Sequence, residues 1–450
     1  MTKKNETIKY LIIGNSAGGI GAAEAIREVD KAGTITIVSD EPYPAYSRPL
    51  ISEHLADGRP LERILFRPPG FYDNNHIQTI LGQKVVGVKP EEHSIELDDG
   101  RLITWEKLLL ATGGLPIVPP MEGLGLKGIF TFTTLDDARA VDHFLRQHPK
   151  REIRAVVIGG GLIGISATEA LLKRGVEVTI IEMKDRVLNA ILDEEASSLE
   201  EDALRKARVE IITGHTVSRI TSYVPGEVTG VTLDNSRPLA CEMVIVAIGV
   251  RPRTELVSDT GIKTNRGIII DRRMTTSNPD VYACGDVAEG YDFVHGENRL
   301  SPVWPNAYLG GRIAGFNMAG VPTEYRGGTA MNSMKYFGVN IHSAGMVAPT
   351  DDSYEVISSK TAHTYKKVIL KDGLITGMVY SSDIEKSGIV YRLMKDRINV
   401  EAFKQELVAA DFGLVSLPEE LWKPQLSLPS SETSAPGTPA EEPEEALVGE

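Results

Sequence analysis

Two glycine turns constrain this chain more than anything else in it. Gly14-Asn15-Ser16-Ala17-Gly18-Gly19 follows the apolar run at 8–13, and Gly159-Gly160-Gly161-Leu162-Ile163-Gly164 follows the run at 154–158, 145 positions later. Around each turn the pattern is strand, turn, helix (19–29 and 165–174) and second strand (34–38 and 176–181). That is a βαβ unit, and a glycine turn at this place in it is the fingerprint of dinucleotide binding. The period is far too long for a solenoid repeat, so the chain holds two nucleotide-binding modules. The fold class that follows is α/β, with two Rossmann-like domains and a small C-terminal α/β domain.

Each turn residue has a physical reason. Gly14 and Gly159 allow the tight turn, and Gly19 and Gly164 let the helix pack close to the strand. The free N–H groups at the helix start, together with the helix dipole, hold a pyrophosphate. Gly161 completes the second fingerprint; Ser16 takes its place in the first and is small enough to leave the backbone approachable. Asp40, 26 residues after Gly14, is placed to hydrogen-bond an adenosine ribose. Glu182, 23 residues after Gly159, can accept both ribose hydroxyls and would repel a 2′-phosphate, which favours NADH. Lys184 and Arg186 pull the other way and keep NADPH open.

Composition removes other classes. With 48 basic and 62 acidic residues the net charge is −14, so the chain lacks the general basic face of a nucleic-acid binder. Two cysteines, Cys241 and Cys284, exclude a disulfide scaffold, a four-cysteine iron–sulfur site and a C-x-x-C centre. No apolar stretch reaches the ~18–20 residues of a membrane span. No signal-peptide core follows the N-terminus, so a cytoplasmic protein without a membrane partner is expected. The nine histidines show no metal-ligand spacing, and no metal is expected.

Strand-like segments at 85–88, 94–97 and 108–111 lie between the two units, and others at 209–212, 228–233 and 243–248 follow the second. From about 325 the character changes to a small α+β domain with strands at 367–370 and 375–380. The stretch from 426 is rich in Pro, Ser and Glu, has no Lys or Arg, and reads as a disordered acidic tail.

Three further motifs fix an order. Leu108-Leu109-Leu110-Ala111-Thr112-Gly113-Gly114 ends a buried strand in a turn of small residues. Val244-Ile245-Val246-Ala247-Ile248-Gly249, with Arg251-Pro252, is its near copy, and Asn278-Pro279-Asp280-Val281-Tyr282-Ala283-Cys284-Gly285-Asp286-Val287 follows. In this order they resemble the two-dinucleotide-binding-domain flavoproteins, the pyridine nucleotide–disulfide oxidoreductase superfamily, over roughly 8–320. Tyr46-Ser47-Arg48-Pro49-Leu50-Ile51-Ser52 is similar to the Y-x-R-P-x-L-S segment of its rubredoxin reductase, ferredoxin reductase and nitrite-reductase FAD-domain branch.

The resemblance implies that the first module binds FAD and that an inserted second module binds NAD. The implied layout is an FAD domain at 1–118 and 249–324, an NAD domain at 119–248, a C-terminal acceptor or dimerisation domain at 325–421 and the tail at 422–450. For FAD it implies Gly14, Ser16, Gly18 and Gly19 at the pyrophosphate, Asp40 at the ribose, Arg48 near the diphosphate and the Val85 backbone at adenine. Thr112 and Gly113 would line the cofactor and Asp286 would bind the ribityl chain. Asp286 follows a strand and precedes an expected helix, whose amides would face the cofactor with it. Trp304 is either a flavin contact or a core aromatic. For NAD the implied set is Gly159, Gly161, Ile163, Gly164, Glu182 and Gly249.

The departures from the family pattern also inform. No cysteine stands near Ser47, where disulfide-type members carry theirs, so thiol chemistry at the flavin is disfavoured. Ala17 replaces the histidine of NADH peroxidases, and Ser166 a glutamate common after the second fingerprint. Leu162 replaces a tyrosine often seen over the flavin, and Glu53 stands near a ferredoxin-reductase lysine. Both cysteines read as buried and inert. Asn332, Lys335 and Gly338 resemble the N-x-x-K-x-x-G start of a rubredoxin-reductase C-terminal domain, and a monomer and a homodimer both stay open. The implied reaction is hydride transfer from NADH to FAD, then electron release to a small rubredoxin- or ferredoxin-like protein. An NADH oxidase and an NADH-sensing flavoprotein are the alternatives.

Overall fold

The computed structural model describes residues 7–149 and 152–426. The strand Ile8–Ile13 is the centre of the first sheet. It pairs in parallel with Ile35–Ser39 on one side and with Leu102–Leu110 on the other. Ile77–Leu81 extends the first edge and Val281–Ala283 adds in parallel to Leu102–Leu110. Nearly continuous apolar runs form these strands because their side chains are buried on both faces. The strand expected at 108–111 is the end of the longer Leu102–Leu110. Its first residues pair antiparallel with Ser94–Leu97, which pairs with Val85–Lys89, so one strand serves two sheets.

The second module repeats the plan, with parallel strands in the order Glu210–Thr213, Glu177–Glu182, Arg154–Ile158, Met243–Val246 and Ile129–Phe130. A three-stranded antiparallel sheet, Val217–Thr221, Gly230–Leu233 and Pro238–Ala240, stands beside it. The chain enters and leaves this module through Gly114–Pro116 and Val250–Pro252, which pair with each other as an antiparallel ribbon. The C-terminal sheet is five-stranded and antiparallel: Met331–Tyr336, Val339–Gly345, Leu374–Ser381, Tyr365–Lys371 and Glu355–Lys360. Residues 422–426, read from the sequence as the start of the tail, belong to a helix, Glu419–Leu426. The rest of the expected tail lies outside the described residues.

The first helix of the chain, Ala17–Val29, packs along Trp304–Met318 at backbone contact. Gly311 lies where a Cβ would run into the Gly18 carbonyl, Gly315 where it would meet that of Ala22, and Gly21 where it would meet that of Tyr308. Three glycines therefore set the spacing, because without a Cβ they let the two helix backbones touch.

The C-terminal sheet turns one face to its own helix Ser387–Lys395. The other face, with Met334, Ile341, Tyr365 and Val379, joins the hydrophobic core of the second module. The second-module helix Glu194–Lys206 packs on that face. In its middle, Glu200 is 0% exposed and neither carboxyl oxygen has a hydrogen-bond partner among the described residues. Burial, reinforced by the charge of Glu169, pushes its pKa up to about 8.

Two predictions follow from this packing. Gly311→Ala is expected to lower stability by about 1–3 kcal/mol through overpacking, although alanine is the better helix former by about 1 kcal/mol; thermal melts check it. Glu200 holds its proton in the folded state well above its ordinary value of 4.5. Its stabilising protonation is thus complete below pH 4.5, and stability falls as pH rises through about 8. Glu200→Gln is expected to remove that slope and to gain on the order of 4 kcal/mol at pH 9 relative to pH 5, at about 1.4 kcal/mol per pKa unit. Denaturant midpoints at the two pH values read it, and equal slopes in the two proteins would refute it.

Candidate nucleotide sites and electron-transfer centre

The two glycine turns are built alike. Gly14 has φ +119° and Gly159 φ +107°, and a Cβ on either would strike the carbonyl of a facing strand end, Ala111 or Ala247. Gly19 sits against the Gly14 carbonyl and Gly164 against that of Gly159, so each helix starts in contact with its own turn. The extended residues Ser16 and Gly161 precede the helices Ala17–Val29 and Leu162–Lys173, and neither helix has a side-chain cap. The first N–H groups to close helically are those of Ile20, onto the Ser16 carbonyl, and Ile165, onto that of Gly161, both at 2.9 Å. The N–H groups before them are the donors a pyrophosphate needs. Nothing lies within 4 Å of a Cβ built on Gly161, so the backbone is open to a ligand there.

At the first module the strand Ile35–Ser39 ends at Asp40, whose carboxylate pairs with Arg253 at 2.8 Å. Arg253 also ties the module to the returning chain: its N–H donates to the Gly113 carbonyl at 3.0 Å, and its carbonyl accepts the Thr112 hydroxyl at 3.2 Å. Gln83 N–H donates to Ser39 at 3.0 Å, which brings Val85 to the same corner with its side chain buried in the core. Gly113 has φ +70° and open space on its Cβ side.

Arg48 ion-pairs with Glu41 and donates to the Thr133 carbonyl at 3.0 Å. Tyr46 donates its hydroxyl to the other Glu41 oxygen at 2.5 Å and accepts the Leu135 N–H at 3.0 Å. Glu41 and Arg253 are thus members of this corner that sequence reading missed. The only available signal was position, next to Asp40 and just after Arg251-Pro252.

Asp286 departs from expectation in its setting. It lies in a single 3-10 turn, Gly285–Val287, followed by the strand Ala288–Asp292 and not by a long helix. Gly285, at φ +75°, turns the chain there. Among the described residues no hydrogen-bond partner meets the half-buried Asp286 carboxylate. Burial raises its pKa, and the Arg48 charge opposes the rise. A carboxylate in that state accepts hydroxyl donors readily.

Trp304 begins the helix Trp304–Met318 and packs edge-on to Phe66 at 5.0 Å and 89°. Phe66 also meets Tyr308 at 6.0 Å, and the Arg67 guanidinium lies 4.2 Å from the Phe66 ring. Arg67 pairs with Glu24, so the aromatic group links the two glycine-packed helices.

In the second module Glu182, 9% exposed, is held by two main-chain donors. Gly160 N–H reaches one oxygen at 2.7 Å and Lys184 N–H the other at 2.8 Å. The carboxylate is thereby aimed while keeping lone pairs for further donors. Arg186 is turned onto its neighbour Asp185, at 2.9 Å from both oxygens. Gly249, at φ +115°, closes the opposite strand end and accepts the Ile117 N–H at 2.9 Å. Ile163 is half-buried in the first helical turn.

Cys241 and Cys284 are both buried, and burial pushes each thiol up to about 12, so both are protonated at neutral pH. The Cys284 sulfur lies 2.7 Å from where a Gly18 Cβ would be, which makes it a filler between the turn and the returning strand. Among the described residues no cluster of three His, Cys, Asp or Glu side chains has metal-binding geometry, and no helix is long and apolar enough to cross a membrane.

The pyridine nucleotide-disulphide oxidoreductase model matches residues 8–310. The chain belongs to that family. A second model, the rubredoxin NAD+ reductase C-terminal domain, matches 331–398. The family binds FAD and depends on NAD(P)H, and the protein is an FAD-dependent NAD(P)H oxidoreductase.

Among relatives, the chain is 32% identical over 415 residues to the epsilon subunit of NADH-dependent phenylglyoxylate dehydrogenase from Aromatoleum evansii, covering 91% of this chain and 96% of that one. It is 28% identical to the nitrite reductase [NAD(P)H] of Bacillus subtilis over 87% of its own length, and spans only 48% of that longer protein. The solved covalent putidaredoxin reductase–putidaredoxin complex matches with a TM-score of 0.80 at 25% identity, covering 88% of this chain and 95% of the reductase-like chain.

A Cys241→Ala, Cys284→Ala variant is expected to keep its reduction by NADH within about 3-fold of the parent, since neither thiol ionises near neutral pH. Anaerobic stopped-flow of flavin-loaded protein tests this. Normal reduction with loss of reoxidation by every acceptor would reveal a thiol relay.

Proposed function

We propose that this oxidoreductase takes electrons from NADH and delivers them singly to a small redox protein of rubredoxin or ferredoxin type. The observation that carries the reading is the pair of matched turns that differ in their acids. Glu182 is buried and aimed by two N–H groups, as a nicotinamide-nucleotide ribose acceptor should be, whereas Asp286, two residues after the Cys284 that packs on the first turn, meets no donor among the described residues.

In this reading Gly14, Ser16, Gly18 and Gly19 hold the FAD pyrophosphate on the first helix start. Asp40 and the Val85 backbone hold its adenosine, Thr112 and Gly113 line it, and Asp286 takes its ribityl hydroxyls. Arg48 contributes its charge near the diphosphate, and Trp304 borders the ring system. Gly159, Gly161, Ile163, Gly164, Glu182 and Gly249 hold NADH. Bound FAD would supply a two-electron acceptor able to pass electrons on one at a time. The chain contributes binding, orientation and exclusion of water, with no side chain moving a proton.

The acceptor follows from two similarities: the rubredoxin-reductase type of C-terminal domain and the putidaredoxin-bound neighbour. The layout supports the domain limits of 1–118, 119–248, 249–324 and 325–421, since the paired ribbon 114–116 and 250–252 joins the modules.

Asp286→Ala is expected to weaken FAD binding by about 1.5–3 kcal/mol, the worth of hydrogen bonds to a charged group. Glu182→Ala is expected to raise the NADH KM and to narrow the preference over NADPH. For the acceptor, protein reduced anaerobically with NADH is mixed with rubredoxin, ferredoxin or O2. Reoxidation by a carrier is expected to outpace O2. Reoxidation by O2 as fast as by either protein would point to an oxidase, and a reduced state that persists with all three to a sensor.

A further inference from the structure

The loop after Glu182 has two ends, and each is fixed by a different part of the chain. Its near end is held within the second module by the Gly160 and Lys184 N–H groups. Its far end is Asp193, the N-cap of the helix Glu194–Lys206, whose carboxylate accepts the Ala196 N–H at 3.1 Å. The other oxygen of Asp193 is taken by the C-terminal sheet: Tyr365 donates its hydroxyl at 2.7 Å, and Lys367 forms an ion pair with it. Lys367 is 5% exposed and also donates to the Val347 carbonyl at 2.6 Å. Tyr365 and Lys367 stand two apart on one strand, so both point to the face that packs on the second module.

We propose that Lys367 and Tyr365 are positioning residues for the nicotinamide nucleotide. By holding Asp193 they fix the far end of the 183–193 loop, whose near end presents Glu182 to the adenosine ribose. The proposal rests on the reading of Glu182 as a ribose acceptor given above.

Three features of the structure favour this role over simple packing. A buried lysine is costly unless it is paired, and here its pairing partner is a residue of the nucleotide loop. The contact is one of several polar ties between the same two bodies: Glu169 accepts the Phe337 N–H at 3.2 Å, and Lys360 pairs with Glu195. The middle of the interface leaves Glu200, Ser343 and Ser381 without hydrogen-bond partners, so the polar ties at its edge fix its register. The C-terminal sheet, expected to serve an acceptor or a dimer, thereby also shapes the donor's site.

The test compares Lys367→Met, Lys367→Arg and Tyr365→Phe with Glu182→Ala, all as flavin-loaded full-length protein. NADH KM and the reduction rate at saturating NADH are measured by anaerobic stopped-flow, with flavin content and Tm as controls. Lys367→Met and Tyr365→Phe are expected to raise the NADH KM about 5-fold and to leave the saturating rate within about 2-fold. Lys367→Arg is expected to restore part of the loss. If Glu182→Ala raises KM and the C-terminal variants do not, the proposal is overturned and the ribose reading stands. If Glu182→Ala also leaves KM unchanged, the ribose reading itself has failed. Should Lys367→Met lose flavin, Tyr365→Phe, which removes one hydroxyl, decides the matter on the same KM criterion.

Discussion

The contact between the helices Ala17–Val29 and Trp304–Met318 is the constraint on which the flavin half of the structure depends. Helix backbones come this close only where a missing Cβ lets one meet the other's carbonyls, and Gly21 on the first helix and Gly311 and Gly315 on the second supply it from segments nearly 300 residues apart. The contact places the start of the first helix beside Cys284, just after the returning strand Val281–Ala283 and before the turn that carries Asp286. It also carries the Phe66–Trp304–Tyr308 group, so this aromatic cluster and the first glycine turn are set by one helix pair.

Electrostatics complete what packing begins. The first module's corner is a set of pairs: Asp40 with Arg253, and Glu41 with both Arg48 and Tyr46. Against that background one carboxylate, Asp286, meets no donor among the described residues, and one, Glu182, is pinned by backbone amides. Burying a charged group without partners is unfavourable, and such groups concentrate where a ligand will complete them. The two thiols show the opposite condition, because burial keeps both protonated and inert, at Cys241 in spite of the Arg154 charge nearby.

The second module is gripped from two directions. The ribbon of Gly114–Pro116 and Val250–Pro252 joins it to the flavin module, and the C-terminal sheet shares its hydrophobic core. The buried edge of that second contact is charged, at Asp193 and Lys367, and its centre holds a neutral Glu200. An apolar face alone would leave sliding freedom, whereas polar ties of this kind specify one register.

The sequence by itself determined the local units. The turns at Gly14 and Gly159, the strand Arg154–Ile158 and the acid at Glu182 are all legible, because each obeys a spacing set by neighbouring residues on one βαβ unit. The strand-like segments read at 85–88 and 94–97 are the strands Val85–Lys89 and Ser94–Leu97. What only the tertiary structure decided are relations between distant segments. Helix Trp304–Met318 and its glycines carry no fingerprint, since their meaning lies in Gly18 and Ala22 across the contact. The helix expected after Asp286 is a 3-10 turn and a strand, because residues 288–292 pair with Ile268–Ile269 and with 297–300 and not with themselves. Arg253 at Asp40, Glu41 at Arg48 and Lys367 at Asp193 were invisible for one physical reason. A charge finds its partner through space, and sequence spacing records only partners that lie on the same element.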